Sequence, residues 1–125
     1  MGKNNTRPVF LNLFQIRLPI GGVVSILHRI TGVFLVLALP VLLYGLQQSL
    51  SGPAEYAAVT AKLSSPWARA LLLLLLWAFA QHFFSGIRHL LLDLDIGMEK
   101  NSARRLAWLT LMASGLVVLL LGLAI

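Results

Sequence analysis

The chain has 125 residues, of which 58% are hydrophobic and only 11% charged, too apolar for a soluble domain that must cover its core with polar groups. Lys and Arg total 10 against 4 acidic residues, a net charge of +6; basic residues beside membrane spans fix orientation and meet anionic lipid, so this balance is no argument for nucleic acid. With no cysteine, a disulfide, a thiolate nucleophile and a Cys-ligated zinc or iron–sulfur centre are excluded in this chain.

Prolines and basic side chains fill the first stretch and lead into a run too long for the h-region of a secretory signal, so the expectation is a retained N-terminus. Met1-Gly2 with Thr6 fits the N-myristoylation pattern, which is short enough to recur by chance. No Arg- and Ser-rich transit peptide is evident, which points to a bacterial inner (cytoplasmic) membrane rather than an organelle. Between Pro8 and Pro19, Phe10, Leu11, Phe14, Ile16 and Leu18 alternate with Asn12, Gln15 and Arg17. That pattern predicts a segment lying along the cytoplasmic interface over residues 1–21.

Residues 22–125 then hold three stretches long enough to cross the hydrocarbon, which takes about 20 mostly apolar residues. The expected fold is therefore all-α, an integral membrane protein with three transmembrane helices at about 22–46, 67–92 and 104–125. Pro40 lies inside the first and is expected to kink it. The connector at 47–66, with Ser49, Ser51, Gly52, Pro53 and Ser64-Ser65-Pro66, reads as polar and placed in water or headgroups. The second connector, 93–105, is short and carries Asp95, Gly97, Glu99, Lys100 and Asn101.

Basic residues set the orientation. Lys3, Arg7, Arg17 and Arg29 on the N-terminal side and Arg88, Lys100, Arg104 and Arg105 around the second connector outweigh Lys62 and Arg69 on the first connector. The positive-inside rule then puts the N-terminus and second connector in the cytoplasm, and the first connector and C-terminus in the periplasm. Tyr44 and Trp67 fall near the outer interface and Trp108 near the inner one, while Trp77 lies deeper.

Ionisable residues inside a span are costly and ask for a partner or a function. In Ser25-Ile26-Leu27-His28-Arg29-Ile30-Thr31-Gly32, Ser25 and Arg29 share a helix face and His28 points about 100° away from Arg29. The plainer account is an Arg snorkelling to headgroups, with Ser25 back-bonding the helix. In Gln81-His82-Phe83-Phe84-Ser85-Gly86-Ile87-Arg88-His89, the two histidines lie on one face, about 10 Å apart along the axis. Small Ser85 and Gly86 leave a step beside His82 wide enough for a flat macrocycle or a close partner helix. Here the plainer account is a histidine bonded to a neighbouring helix.

If the two clusters face each other, one half of the bundle holds an imidazole at depth, with Arg29, Arg88 and His28 or His89 nearer water. Haem b asks for that set: neutral imidazole on iron, apolar walls and cations for the propionates. His82 and His89 cannot both ligate one iron, because trans ligands approach opposite faces of the ring. The sixth ligand must come from elsewhere.

These motifs, together with Arg7-Pro8 and Ile16-Arg17-Leu18-Pro19-Ile20, resemble the cytochrome b subunits of succinate dehydrogenase, the larger membrane anchor of respiratory complex II. Gly86-Ile87-Arg88-His89 and Asp93 resemble that family's second signature. Residues 46–69 and most of the third span match it in hydropathy only, and the N-terminal segment lacks a Ser-Pro-His, as in a proteobacterial variant. The resemblance implies that His82 is an axial ligand to haem iron, with a histidine of the smaller hydrophobic anchor subunit opposite. It implies that Ser25 and Arg29 line a ubiquinone pocket beside the iron–sulfur subunit, and that His28 and Arg29 lie near the propionates. Asp93 is a candidate proton relay, with a helix-end ion pair to an Arg as the alternative. On this reading the chain has no catalytic residues alone; it docks the iron–sulfur and flavoprotein subunits to membrane lipid and helps pass succinate electrons to ubiquinone. A fumarate reductase anchor is the near alternative. A small transporter or channel subunit with an ion path at His82 and Arg29 is the distant one.

Overall fold

The computed structural model describes residues 18–124. Met1-Gly2 and Thr6, the interfacial stretch from Pro8 to Arg17, and the N-terminal signature residues Arg7-Pro8 and Ile16-Arg17 lie outside the described residues. Four helices follow in order: α1 (Ile20–Ser49), α2 (Pro53–Leu63), α3 (Pro66–Asp93) and α4 (Lys100–Gly122). The described residues are all-helical apart from turns, and α1, α3 and α4 are long and apolar enough to cross a membrane. At 30, 28 and 23 residues they measure about 35 to 45 Å, more than the ~30 Å hydrocarbon.

Local chemistry sets the ends. Pro19 stands before α1, and Pro53 and Pro66 occupy first-turn positions of α2 and α3, where their missing N–H is no loss. Ser65 caps α3, its Oγ accepting from Ala68 N at 3.3 Å. At the far end of α3, Asp95 takes a left-handed φ of 60°. Asp95 N donates to Leu92 O at 3.1 Å and Ile96 N to Leu91 O at 2.9 Å, closing the helix in a Schellman motif. Gly97, with φ 80°, completes the reversal and sits directly under Leu106, so α4 returns antiparallel beside α3.

The first connector is not irregular. Ala54, Ala57, Ala58 and Ala61 favour a helix, and Glu55 in the first turn and Lys62 in the last complement its dipole. The Ser, Gly and Pro residues that mark the connector in the sequence are only its boundaries. This α2 buries none of its residues. α1 runs without a break through Pro40, which is exposed, like Tyr44, Trp67 and Trp108; the ring and the freed carbonyl face outward rather than into a neighbour.

The spans pack with α3 between α1 and α4, touching both. The buried set is Val24, Ala78, Ala80, Ala107, Thr31, Gln81, Ser85, Arg88, Thr110 and Ser114, while most of the Leu side chains, with Phe79, Phe83, Trp67 and Trp108, face outward. This inverts a soluble protein. Lipid tails are as apolar as leucine, so burying leucine gains little, and helices associate where small residues allow close approach and polar groups bond across.

Candidate functional site

The N-terminal half of α1 lies antiparallel against the C-terminal half of α3, and three imidazoles meet there. The His28 ring stacks on His82 with centroids 4.2 Å apart and planes 16° from parallel. It tilts against His89 at 5.0 Å and 44°, so the histidine from α1 reaches both histidines of α3. Gly86 lies beneath it: a Cβ there would stand in van der Waals contact with His28 Nε2, at 3.8 Å. The step beside Ser85 and Gly86 is therefore taken up by a close partner helix. Ser85 turns into the core, fully buried, and is not a wall for a macrocycle.

The opening lies on the other side of His82, along α1. Arg29, Gly32, Val33, Val36 and Leu37 form one stripe of that helix, and with His28 and His82 they line a groove of about 480 Å³ open to the outside. His82 Nδ1 is 3.0 Å from the carbonyl oxygen of His28. A carbonyl can only accept, so Nδ1 carries a proton, and Nε2 is the nitrogen left to bind a metal. Thr31 Oγ1 lies 3.5 Å from the same Nδ1 and itself donates back to the Leu27 and His28 carbonyls at 2.8 and 3.0 Å. Gly32 lies close against the side of the ring, since a Cβ there would be 3.0 Å from His82 Cε1, tighter than nearly all side-chain contacts, so the ring would have to give way.

This arrangement offers one imidazole whose Nδ1 is engaged by a backbone acceptor and whose Nε2 is left for a ligand. The His28 stack covers a face of the ring, not the edge that carries Nε2. Among the described residues no three His, Asp or Glu side chains are placed to hold a metal ion, so a metal here needs its other ligands from a macrocycle or another chain. Apolar Val33, Val36 and Leu37, with a guanidinium at the rim, fit a haem.

Of the other expected site residues, Ser25 is half-buried one turn before Arg29, and Arg29 is exposed at the rim of the groove. Asp93 ends α3 and is exposed. Arg88 departs from expectation. It is buried, 7% exposed, and lies against Gly21 in the first turn of α1, away from the groove and not nearer water with Arg29.

A second buried cluster had no role in the sequence reading. Ser114 of α4 donates to Gln81 Oε1 at 2.7 Å, and Gln81 Nε2 donates to Ser85 Oγ at 3.1 Å. All three side chains are fully buried. Gln81 precedes His82, so bonding it to α4 turns the next residue toward α1. The available signal was a Gln and a Ser in otherwise apolar spans, each needing a partner in lipid.

Residues 3–121 match the model of a family described as succinate dehydrogenase/fumarate reductase transmembrane subunit. The chain is 32% identical over 120 residues to the succinate dehydrogenase cytochrome b556 subunit of Coxiella burnetii, covering 95% of this chain and 96% of that protein. It is 30% identical over 99 residues to the same-named subunit of Paracoccus denitrificans, covering 79% and 76%. A succinate dehydrogenase hydrophobic membrane anchor subunit of Archaeoglobus fulgidus is 33% identical over 78 residues, 62% of this chain and 67% of that one.

Proposed function

The chain belongs to the succinate dehydrogenase/fumarate reductase transmembrane subunit family, and on that premise we propose that it ligates one haem b through His82 and forms part of a ubiquinone-reduction site with Ser25 and Arg29. The observation that carries this reading is the hydrogen bond from His82 Nδ1 to the His28 carbonyl at 3.0 Å, which orients the ring and leaves Nε2 as the nitrogen available to iron. Gly32 and the stacked His28 ring keep it from turning. A haem bound there would supply one-electron transfer, and a histidine of the smaller hydrophobic anchor subunit would complete its hold on the iron. His28 and Arg29, at the rim, hold the propionates.

Ser25 and Arg29 act on the quinone. The Ser hydroxyl donates to a carbonyl oxygen, and the guanidinium fork stabilises negative charge as it develops on that oxygen. The flavoprotein subunit oxidises succinate and the iron–sulfur subunit brings the electrons to this end of the bundle. Asp93, exposed there, relays protons to the reduced quinone. That end is cytoplasmic, since it gathers Arg29, Arg88, Lys100, Arg104 and Arg105 against Lys62 and Arg69 at the other; the membrane is a bacterial inner membrane, with the C-terminus periplasmic. The relatives' names favour succinate oxidation over fumarate reduction.

Reduced-minus-oxidised absorption of the purified membrane complex tests the reading. His82→Leu removes the b-type bands, because it deletes the side chain that would hold the iron from this chain, while His89→Leu retains them. The converse result reverses the assignment, and a wild-type complex with no b-type bands ends it. For orientation, Ser51→Cys, in a chain with no other cysteine, is labelled by an impermeant thiol reagent from the periplasmic side only; labelling from the cytoplasm inverts the topology.

A further inference from the structure

Arg88 takes no part in the groove. Its Nε is buried with no hydrogen-bond partner among the described residues, and its Nη2 comes within 3.1 Å of where a Cβ on Gly21 would stand. The guanidinium thus presses on the first turn of a 30-residue helix, the end at which the helix dipole is already positive. That turn is itself open. Pro19 gives it no side-chain cap, and the amides of Gly22 and Val23 turn back to Pro19 O at 2.8 and 3.2 Å. Those of Ile20 and Gly21 have no acceptor within the helix.

Two positive features held together in a low-dielectric seam repel unless an anion touches both. The chain does not supply it. Its four acidic residues are Glu55, Asp93, Asp95 and Glu99, all exposed; Glu55 is on α2 at the opposite end of the bundle, and none pairs with Arg88. Residues 1–17 contain no Asp or Glu.

We propose that Arg88 and the first turn of α1 bind the phosphate of a membrane phospholipid. Depth favours this source. The 28 residues of α3 make about 42 Å against ~30 Å of hydrocarbon, leaving roughly 6 Å at each end among headgroups. Arg88 stands about 7.5 Å before Asp93, so its backbone lies close to the hydrocarbon boundary and its long side chain reaches up toward the level of the lipid phosphates. Exposed Lys100, Arg104 and Arg105 at the same end concentrate phosphate there. A guanidinium bonds two phosphate oxygens through its fork, and the free amides of the helix start bond others. Gly21, with no Cβ, lets the two meet.

The test uses the intact membrane complex, washed in detergent and placed in nanodiscs of either phosphatidylglycerol or a phosphate-free galactolipid. Native mass spectrometry of the wild type shows one phospholipid per chain that survives washing, and Arg88→Gln loses it, with retention weaker by about tenfold or more. The wild type melts lower in galactolipid than in phosphatidylglycerol, whereas Arg88→Gln melts alike in both. If Arg88→Gln does not assemble, Gly21→Val serves, since its Cβ would stand 3.1 Å from Arg88 Nη2 and its two further methyls take the guanidinium's place while leaving the charge in the chain; it too releases the phospholipid. Equal retention by wild type and variants overturns the proposal. So does a wild type indifferent to lipid phosphate, or cross-linking that shows a carboxylate of another subunit seated at Arg88.

Discussion

α3 is held along two seams that solve the same packing problem differently. Toward α4 it uses a closed polar lock, with Ser114, Gln81 and Ser85 all fully buried and bonded in series. Toward α1 it uses rings and glycines: His28 stacked on His82 at 4.2 Å, Gly86 under His28, and Gly32 against His82. The first seam uses up its hydrogen-bonding groups on itself, while the second leaves Nε2 of His82 and a groove of about 480 Å³. A buried polar cluster in a membrane protein is thus structural when its donors and acceptors close on one another, and chemical when one is held back.

If this division is real, changes on the α1 side of α3 alter chemistry before stability. The largest effect is expected from Arg29→Lys and Ser25→Ala, at the exposed edge of the open seam. Lys keeps the charge and loses the planar fork. Losing a transition-state interaction of roughly 2 to 4 kcal/mol lowers succinate-to-ubiquinone turnover by one to several orders of magnitude. Succinate oxidation by artificial dyes, which bypasses the quinone, stays near wild type. Equal loss of both activities would mean failed assembly, and unchanged quinone turnover would place the quinone elsewhere.

Next comes Gly32→Val. Its Cβ would stand 3.0 Å from His82 Cε1, and the added methyls force the imidazole off its bond to the His28 carbonyl. Overpacking of this kind costs about 1 to 3 kcal/mol, so haem per assembled chain should fall by roughly ten- to a hundredfold at limiting haem. Pyridine haemochrome measurement against protein reads it. Full haem occupancy in Gly32→Val would show that the orientation of His82 does not depend on this contact.

The three spans and their basic ends were legible because hydropathy over some twenty residues and the placement of Arg and Lys need no partner to be read. His82, Ser25 and Arg29 could be singled out because an ionisable or polar group in a span is anomalous by itself. Where the side chains point was not legible. Arg88 looked equivalent to Arg29, both being basic residues near one end, yet only the packing of Gly21 against α3 decides that Arg88 is buried and Arg29 exposed. His28 was readable as a candidate, but its stacking on His82 is a contact between two helices whose facing sides the sequence does not print. Helix α2 escaped because Ser51-Gly52-Pro53 and Ser64-Ser65-Pro66 draw attention away from the alanines between them. Ser114 escaped because the last span resembles nothing but a hydrophobic run.

The smallest effect is expected at Ser114, and it separates the two seams most cleanly. Ser114→Ala removes the donor that bonds Gln81 Oε1 at 2.7 Å without adding volume, so α3 and α4 keep their approach. Interhelical hydrogen bonds in a bilayer contribute about 0.6 kcal/mol on average and rarely more than ~1.7, because the separated helices find other partners. Gln81 still reaches Ser85 through its Nε2, so its amide stays partly satisfied and α3 keeps its rotation. Ser114→Ala should therefore assemble with full haem and unchanged visible bands, and lower the melting temperature of the complex by only a few degrees at most. A haem loss in Ser114→Ala as large as that in Gly32→Val would show instead that the polar lock sets the orientation of His82 directly, and that the two sides of α3 work as one.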